Sequence, residues 1–316
     1  VTDVNEAPSI TSSASFSAAE NQTAIGTVTA TDPESDTLTF SVSGSDLVID
    51  SSTGVLTFAS APDFETTTSV TATVTVSDGS LTDTQEVTVT VTDVNEAPSI
   101  TSGAAFSAAE NQTAIGTVTA TDPESDTLTF SVSGSDLVID SSTGVLTFAS
   151  APDFETTTSV TATVTVSDGT NSSTQEITVT VTDVNEAPSI TSDATFTAAE
   201  NQTAVGTVTA TDPESDTLTF SVSGSDLAID SSTGVLTFAS APDFETTTSV
   251  TATVTVSDGS LTDTQEVTVT VTNVNEAPSI TSSASFSADE NQTAVGTVTA
   301  TDPESDTLTF SVSGSD

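Results

Sequence analysis

Valine and threonine alternate along several short segments of this chain. The runs TATVTV at 71–76 and VTVTVT at 87–92 place Val on one face and Thr on the other. A period of two is typical of a strand with one buried face. Clusters of Asn, Asp, Gly, Pro and Ser separate such runs and predict turns. The pattern therefore predicts half-buried antiparallel strands.

Over the first 92 residues the same pattern predicts seven strands, at 9–17, 23–31, 37–43, 46–50, 54–58, 69–77 and 84–92. Seven short strands in about 90 residues indicate an all-β, immunoglobulin-like Greek-key sandwich. The largest side chains available to its core are four phenylalanines, which we interpret as packing residues: Phe16, Phe40, Phe58 and Phe64.

The strand pattern recurs because the chain is a tandem repeat. The phrase VTDVNEAPSI begins at Val1, Val91 and Val181 and returns as VTNVNEAPSI at Val271, a spacing of 90 residues each time. This period predicts repeats at 1–92, 93–182 and 183–272 and a partial repeat at 273–316 with only the first three strands. We expect the sandwiches to be joined end to end in a rod.

The repeats are nearly identical, which indicates duplication of one module to gain length. Repeats 1 and 2 differ at seven positions: Ser13/Gly103, Ser15/Ala105, Ser80/Thr170, Leu81/Asn171, Thr82/Ser172, Asp83/Ser173 and Val87/Ile177.

The charge of the chain has one sign only. It contains 46 Asp and Glu residues and no Lys, Arg or His, for a formal charge of -46 over 316 residues. Such a surface repels nucleic acid, anionic membranes and phosphate ligands, and it attracts cations. Since Cys and Lys are both absent, neither a disulfide nor a Lys–Asn isopeptide bond can brace the repeats.

The missing residue types also argue against catalysis. General bases and nucleophiles are usually His, Cys or Lys, and none occurs here. A carboxylate pair that cleaves glycosides would need aromatic platforms for the sugar, but Trp and Tyr are absent. We therefore expect no enzymatic activity.

The chain carries no stretch of 18 apolar residues and no signal-peptide pattern, and it begins with Val1. From these features we expect an internal segment of a longer exported protein, located outside the cell, on the cell surface or in a secreted matrix, without direct membrane insertion.

The carboxylates are the groups that could carry chemistry. Eight of the 13 in repeat 1 fall in five short phrases: TDVNEAP, AEN, TDPES, PDFE and SDG. Calcium takes about six to eight oxygen ligands from such groups, and closely spaced acids repel one another unless a cation neutralises them. Magnesium needs tighter octahedral geometry and fits less well. The clusters therefore indicate calcium sites.

In the same order along each whole unit, these phrases resemble the motifs of the cadherin repeat, as found in tandem in large bacterial surface adhesins. The linker DVNEAP at 93–98 is similar to the DxNDNxP motif, Glu20 to the xEx glutamate, and Asp63-Phe64-Glu65 to DRE. Asp32-Pro33-Glu34 is similar to DxD, and Asp78 to the late-strand aspartate. The segment IDSSTGVLTF at 49–58 looks like the family's strand–turn–strand phrase.

The resemblance implies calcium between successive repeats, bound by the leading repeat, the linker and the following repeat. The first junction would use Glu20, Asp63, Glu65, Asp93, Asn95, Glu96, Asp122, Glu124 and Asp168. The second would use Glu110, Asp153, Glu155, Asp183, Asn185, Glu186, Asp212, Glu214 and Asp258. The third would use Glu200, Asp243, Glu245, Asn273, Asn275, Glu276, Asp302 and Glu304. The counterparts at the start of repeat 1 are Asp3, Asn5, Glu6, Asp32, Glu34 and Asp78.

Departures from the family pattern limit the number of ions. The linker is one residue shorter than DxNDNxP and lacks its second Asn, while DxD has become DPE and DRE has become DFE. We therefore expect two or three calcium ions per junction. Asp36 could add a ligand or be a solvated turn residue. Because Asn273 replaces the linker Asp, we expect a weaker third site.

Charge arithmetic supports these sites without reference to the family. The first junction gathers eight carboxylates, a charge of -8, and three divalent ions would return +6. Without ions the junction should splay and flex, whereas bound calcium would tie two repeats and their linker together. Calcium affinity should be on the order of 0.1 to 1 mM, as in other extracellular modules.

Two functions fit this reading. The first is a structural extender, the stalk of a surface adhesin or matrix fibre stiffened by calcium. The alternative is that the repeats themselves mediate homophilic adhesion or self-assembly into filaments, with like chains bridged through Ca²⁺. Asn21, Asn111, Asn171, Asn201 and Asn291 also fit the N-glycosylation pattern, which is frequent by chance in Ser/Thr-rich chains.

Overall fold

A computed structural model describes residues 4–314 of the chain. Within this range all regular structure is β-strand and there is no helix. The chain divides into two compact units, which meet in sequence between Asp183 and Val184. The first unit contains repeats 1 and 2, and the second contains repeat 3 and the partial repeat.

The strands of the first unit follow the 90-residue period. Repeat 1 contains β1 (Ser9–Ile10), β2 (Ser15–Ala19), β3 (Ala24–Thr27), β4 (Ala30–Thr31), β5 (Thr39–Val42), β6 (Leu47–Ile49), β7 (Val55–Phe58), β8 (Ser69–Ser77) and β9 (Thr82–Thr92). Repeat 2 contains β10 (Ser99–Ile100), β11 (Ala105–Ala109), β12 (Ala114–Thr117), β13 (Ala120–Thr121), β14 (Thr129–Val132), β15 (Leu137–Ile139), β16 (Val145–Phe148), β17 (Ser159–Ser167) and β18 (Ser172–Thr182).

The second unit repeats the series once more. Repeat 3 contains β19 (Ser189–Ile190), β20 (Thr195–Ala199), β21 (Ala204–Thr207), β22 (Ala210–Thr211), β23 (Thr219–Val222), β24 (Leu227–Ile229), β25 (Val235–Phe238), β26 (Ser249–Ser257) and β27 (Thr262–Thr272). The partial repeat contains β28 (Ser279–Ile280) and β29 (Ala300–Thr301).

Each complete repeat has the same sheets. In repeat 1 a four-stranded sheet has the order β2-β9-β8-β5, and a three-stranded sheet has the order β3-β7-β6. Strands β8 and β9 form the longest hairpin, while β2 runs parallel to β9 with Phe16 opposite Val89. The short strands β1 and β4 pair separately. These two facing sheets confirm the predicted immunoglobulin-like sandwich.

Alternation along β8 and β9 builds the core. Val74, Val76, Val87, Val89 and Val91 are buried, and the threonines between them point away from the core. Among the four phenylalanines of repeat 1, Phe58 is buried and the other three are half-buried against the same cluster. The prediction that the phenylalanines are packing residues is confirmed.

Two predicted strands are wrong in their extent. The segment 9–17 divides into β1 and β2, and the segment 23–31 divides into β3 and β4. Each break lies where the chain changes its partner strand, because β1 pairs with β4 whereas β2 pairs with β9. Alternation of side chains does not reveal such a change, since it persists across the break.

A tight turn precedes β7. Asp50 Oδ1 accepts hydrogen bonds from the backbone N–H and the hydroxyl of both Ser52 and Thr53, at 2.8 to 3.0 Å. Gly54 follows with φ 69°, and a Cβ there would lie 2.3 Å from the backbone oxygen of Val28. Glycine is therefore required for this approach.

The partial repeat differs from its prediction. Three strands were expected within 273–316, but residues 273–314 contain only the short pair β28 and β29. In repeat 1 the strands β2, β3 and β5 pair with β9, β7 and β8, which have no counterparts in residues 273–314. Phe310 and Ile280 are accordingly exposed.

Candidate metal centres at the repeat junctions

A buried glutamate marks the end of β2. Glu20 is only 3% exposed, and its backbone N–H donates to the carbonyl oxygen of Thr92 at 3.1 Å. Its Oε2 accepts the backbone N–H of Phe64 at 2.7 Å, and its Oε1 accepts the backbone N–H of Val94 at 2.8 Å. The carboxylate thereby fixes both the PDFE loop and the start of the linker.

Three further acids surround this glutamate in the first unit. One carboxylate oxygen from each of Glu20, Glu65, Asp93 and Glu124 lies within 4.8 Å of the others. We call these four residues the first junction cluster. Glu20 and Glu65 come from repeat 1, Asp93 from the linker and Glu124 from repeat 2. The cluster thus draws on two repeats and the segment between them.

Glu96 lies beside the cluster. Its backbone N–H donates to Glu124 Oε1 at 3.2 Å, and its Oε1 accepts a hydrogen bond from the Asn21 side-chain amide. Asn21 adopts a left-handed conformation with φ 60°, which an asparagine tolerates better than most residues. This amide contact was not predicted from the sequence, where Asn21 was considered only as a possible glycosylation site.

A second set of oxygens lies on the repeat 2 side. Asp168 Oδ1 accepts the backbone N–H groups of Thr170 and Asn171, each at 2.6 Å. Its Oδ2 accepts the side-chain amide of Asn95 at 2.9 Å. Asp122 Oδ1 accepts the backbone N–H of Asp126 at 3.0 Å. The contact with Asn95 holds Asp168 at the linker, whereas the contact with Asp126 orients Asp122 within its own turn.

Several junction oxygens have no hydrogen-bond partner although they are buried. Asp122 Oδ2, Glu96 Oε2 and Glu124 Oε2 are of this kind in the first unit. A buried charged oxygen is costly unless it is paired or coordinates a metal. Because the sequence contains no Lys, Arg or His, no side chain can provide the opposite charge. Hard oxygens in this arrangement fit Ca²⁺.

The electrostatics reflect the crowding. The neighbouring Glu124 carboxyl raises the pKa of Glu96, although the hydrogen bond from the Asn21 amide acts to lower it. The same contact between the two carboxyls lowers the pKa of Glu124. The backbone N–H of Glu65 lowers the pKa of its carboxyl, but desolvation and the charges of Glu20 and Glu124 outweigh it and raise the pKa. A divalent ion would relieve the same repulsion without protonation.

The residues predicted for the second junction belong to two units, and each unit repeats the local contacts. In the first unit, Glu110 is 2% exposed, its Oε2 accepts the Phe154 N–H at 2.6 Å, and its carboxylate lies within 4.8 Å of those of Glu155 and Asp183. In the second unit, the Asn185 amide donates to Asp258 Oδ2 at 2.9 Å. There the Glu186 N–H also donates to Glu214 Oε2 at 3.3 Å, and Asp212 Oδ2 is buried without a partner.

A four-acid cluster also forms within the second unit. Glu200, Glu245, Glu276 and Glu304 each place a carboxylate oxygen within 4.8 Å of the others. We call them the third junction cluster. Glu276 takes part here, at a linker where Asn273 replaces the acid that Asp93 contributes in the first cluster. Desolvation raises the pKa of Glu245 and of Glu304.

The residues at the start of repeat 1 make the contacts that a following repeat contributes to a junction. Asn5 donates to Asp78 Oδ2 at 2.9 Å, the Glu6 N–H donates to Glu34 Oε2 at 3.2 Å, and Asp32 Oδ2 is buried without a partner. Asp36 is exposed, and its N–H donates to Asp32 Oδ1 at 3.0 Å. Asp3 lies outside the described residues.

The sequence divides into three segments that match one family of protein domains, at residues 5–90, 95–182 and 185–270. The chain belongs to the bacterial Ig domain family. The three matches follow the predicted repeats, whose boundaries at 93 and 183 stay predictions. No match is found among curated proteins.

Solved structures similar to these bacterial Ig domains are cadherin ectodomains. A structure of mouse cadherin-23 EC22–24 is 21% identical, covers 86% of this chain and 100% of its own, and has a TM-score of 0.57. Protocadherin gamma B2 extracellular cadherin domains 1–5 are 24% identical, with 87% and 62% covered and a TM-score of 0.59. A protocadherin gammaB7 EC3–6 cis-dimer structure is 23% identical, with 92% and 83% covered and a TM-score of 0.55. At these identities the likeness confirms the cadherin-like fold alone.

Not all predicted ligands of the bacterial Ig domains join the four-acid clusters. Asp63 is engaged locally, with Oδ1 accepting the Thr66 N–H at 3.2 Å. Asn95, Asp122 and Asp168 lie outside the four-acid clusters and make the contacts given above. Over residues 4–314 no helix is long and apolar enough to cross a membrane.

Proposed function

We propose that this chain is a calcium-binding extender, the stalk of an extracellular surface adhesin or matrix fibre, whose repeats are stiffened by Ca²⁺ at their junctions. One observation carries the proposal: Glu20 is buried among three other acids in a chain that contains no cationic side chain. A carboxylate buried among other acids favours binding of an external cation, which supplies the opposite charge that the chain lacks.

The residues of the first junction have distinct roles in this proposal. Glu20 holds the PDFE loop and the linker through its two backbone contacts, and so presents Glu65 and Asp93 to the same point. Glu124 brings repeat 2 to that point. Bound calcium would supply the positive charge that joins these oxygens. Bending at the junction would then separate ligands that bind one ion.

Two or three ions per junction remain our expectation. The first junction cluster offers one position, and Asp122, a predicted ligand outside that cluster, offers another. The buried unpartnered Oδ2 of Asp122 supports this second position. At the third junction, the neutral amide of Asn273 in place of a carboxylate supports weaker binding.

Calcium titration of the whole chain tests the proposal. We expect binding on the order of 0.1 to 1 mM by calorimetry, with a rise in melting temperature and weaker binding of Mg²⁺. Glu20→Gln should weaken binding at the first junction, whereas Glu86→Gln, which removes an exposed strand carboxylate, should not. Absence of heat and of thermal stabilisation at about 10 mM Ca²⁺ would disprove calcium binding.

Self-assembly of the repeats is the alternative function. The gammaB7 structure named above is a cis-dimer, and the similar fold of this chain is the observation that favours side-by-side pairing. The uniform negative charge opposes association unless cations bridge the chains. Light scattering in millimolar calcium distinguishes the two functions, since a stalk stays monomeric and a self-assembling module grows in mass.

A further inference from the structure

The hairpin of β17 and β18 contains the main difference between repeat 2 and its neighbours, at the end of its loop and the first residues of β18. Repeats 1 and 3 have Ser-Leu-Thr-Asp at 80–83 and 260–263, whereas repeat 2 has Thr-Asn-Ser-Ser at 170–173. The turn itself is unchanged, because the N–H of Asn171 donates to Asp168 at 2.6 Å, as the N–H of Leu81 donates to Asp78 at 2.7 Å. The replaced side chains therefore start from equivalent backbone positions.

Asn171 reaches the linker. Its side-chain amide donates to the backbone oxygen of Asn95 at 2.8 Å. Asn95 is already held by the contact of its own amide with Asp168 Oδ2 at 2.9 Å. The linker residue is thus fastened to the loop at two points, one on its side chain and one on its backbone.

In the other complete repeats the equivalent linker residue keeps the contact of its side chain but not the contact of its backbone oxygen. The side-chain contact recurs between Asn5 and Asp78 and between Asn185 and Asp258, each at 2.9 Å. The residue equivalent to Asn171 is leucine in both cases, and a leucine side chain has no donor for the linker oxygen.

Both residues joined by this hydrogen bond are less exposed than their counterparts in the other repeats. Leu81 and Leu261 are 41% and 42% exposed, whereas Asn171 is half-buried. On the linker side, Asn95 is half-buried while its counterparts Asn5 and Asn185 are exposed. A polar residue is therefore less exposed than the leucines it replaces, which is the reverse of the usual trend.

A second replacement, at the start of the second hairpin strand, changes a contact with the first strand of the repeat. Asp83 Oδ2 accepts the N–H of Ile10 in β1 at 2.9 Å, and Asp263 accepts the N–H of Ile190 at 2.9 Å. Ser173 stands at this position in repeat 2 and has no carboxylate. The hairpin of repeat 2 thus loses a contact with the first strand and gains a contact with the linker.

We propose that Asn171 is a positioning residue that fastens the linker between repeats 1 and 2, so that this linker is ordered before any metal binds. The contact also occupies the amide nitrogen that would carry an N-linked sugar, so the folded repeat does not offer Asn171 for glycosylation. The consequence for calcium rests on the proposed function: a linker ordered in advance places Asp93 with less loss of conformational freedom on binding.

Hydrogen exchange in chelator tests the fastening without calcium. Peptides of the two linkers have different masses, because Gly103 and Ala105 follow the first and Asp193 and Thr195 follow the second. In the intact chain the 93–98 linker should exchange about twofold to tenfold more slowly than the 183–188 linker, the range expected for one hydrogen bond. Asn171→Leu should remove this difference, and Leu261→Asn should slow exchange in the 183–188 linker.

Equal exchange of the two linkers in the intact chain, or an unchanged difference in Asn171→Leu, would overturn the proposal. Repeating the exchange during a calcium titration reads the affinity at each linker separately, and Asn171→Leu should weaken it about twofold to tenfold at 93–98 alone. If calcium protects neither linker, the proposed function fails while the result in chelator still decides the role of Asn171. A melting temperature within about 2 °C of the parent chain would exclude general destabilisation.

Discussion

The carboxylate of Glu20 accepts the backbone N–H of Val94 at 2.8 Å, although 74 residues separate them in sequence. The second unit repeats the contact between Glu200 and Val274 at 2.8 Å. In both units the linker that leaves a repeat is anchored on a buried acid of that repeat. The same acid belongs to a junction cluster, so linker geometry and the proposed cation binding depend on one side chain.

Removing the charge of Glu65 from the first junction cluster should affect stability in chelator and calcium affinity differently. In chelator, Glu65→Gln should leave the chain equally stable or make it more stable, because it relieves the repulsion that raises the pKa of this carboxyl. In calcium, affinity at the first junction should fall by at least about tenfold, since ligand charge sets calcium affinity over several decades. Glu86→Gln is the control for charge, and calorimetry with thermal melts is the measurement. A loss of stability in chelator would contradict this account.

The linkers of the first and third junctions differ at one predicted ligand, Asp93 in the first and Asn273 in the third, so the two residues can be exchanged. Asn273→Asp should tighten calcium binding at the third junction, and Asp93→Asn should weaken it at the first by about the same factor, on the order of tenfold. Junction-resolved hydrogen exchange during a calcium titration measures both. Equal affinities at the two junctions of the parent chain would show that this position is not a ligand.

The close approach at Gly54 predicts an unequal cost for two glycine substitutions. Gly54→Ala should destabilise repeat 1 by more than about 3 kcal/mol, because a Cβ would lie 2.3 Å from the Val28 oxygen at a positive φ. Gly79 also has a positive φ, but a Cβ there would meet nothing within 4 Å. Gly79→Ala should therefore lower the free energy of unfolding by only about 1 kcal/mol. Denaturant unfolding compares the two, and equal costs would mean that the turn relaxes.

In repeat 3, Asp230 Oδ1 accepts the backbone N–H and the hydroxyl of both Ser232 and Thr233, as Asp50 does with Ser52 and Thr53. This turn predicts a pH dependence of stability on the acid side. Hydrogen bonds from Thr233 and Ser232 lower the pKa of Asp230 to about 2, below the value of about 3.9 in an unfolded chain. A lowered pKa favours the folded state above pH 4, and this contribution is lost as the pH falls from about 4 to about 2.

Asp230→Asn keeps an acceptor oxygen but cannot be protonated. The melting temperature of this variant should therefore lie below that of the parent chain above pH 5, and the difference should shrink below pH 4. A difference that stays constant with pH would exclude the role of the charge.

Much of this fold could be predicted from local patterns. Val74 and Val76 alternate with threonine, and this alternation alone places them in the core. The separation of β1 from β2 could not be predicted, because it depends on which strand each one pairs with. Pairing is a long-range property, and the side-chain period does not record it.

The candidate sites were predictable where a motif carries them. Glu20 and Glu124 could be named from phrases that keep their order in each repeat, and both lie in the first junction cluster. The contacts of Asn21 and Asn171 could not be predicted, because each amide meets its partner only when folding brings a distant segment to it. The partners, Glu96 and the carbonyl of Asn95, lie 75 and 76 residues away.

The central claim is that calcium converts a flexible junction into a stiff one, and a distance measurement across the first junction tests it most directly. Since the chain has no cysteine, Ser45→Cys and Ser135→Cys introduce two unique labelling sites at equivalent exposed positions of repeats 1 and 2. Spin labels at these sites should give a distance distribution that is broader in chelator than in millimolar calcium, although Asn171 already restrains the linker in chelator. The added Glu65→Gln change should restore the broad distribution at the same calcium concentration. Distributions of equal width with and without calcium would contradict the account.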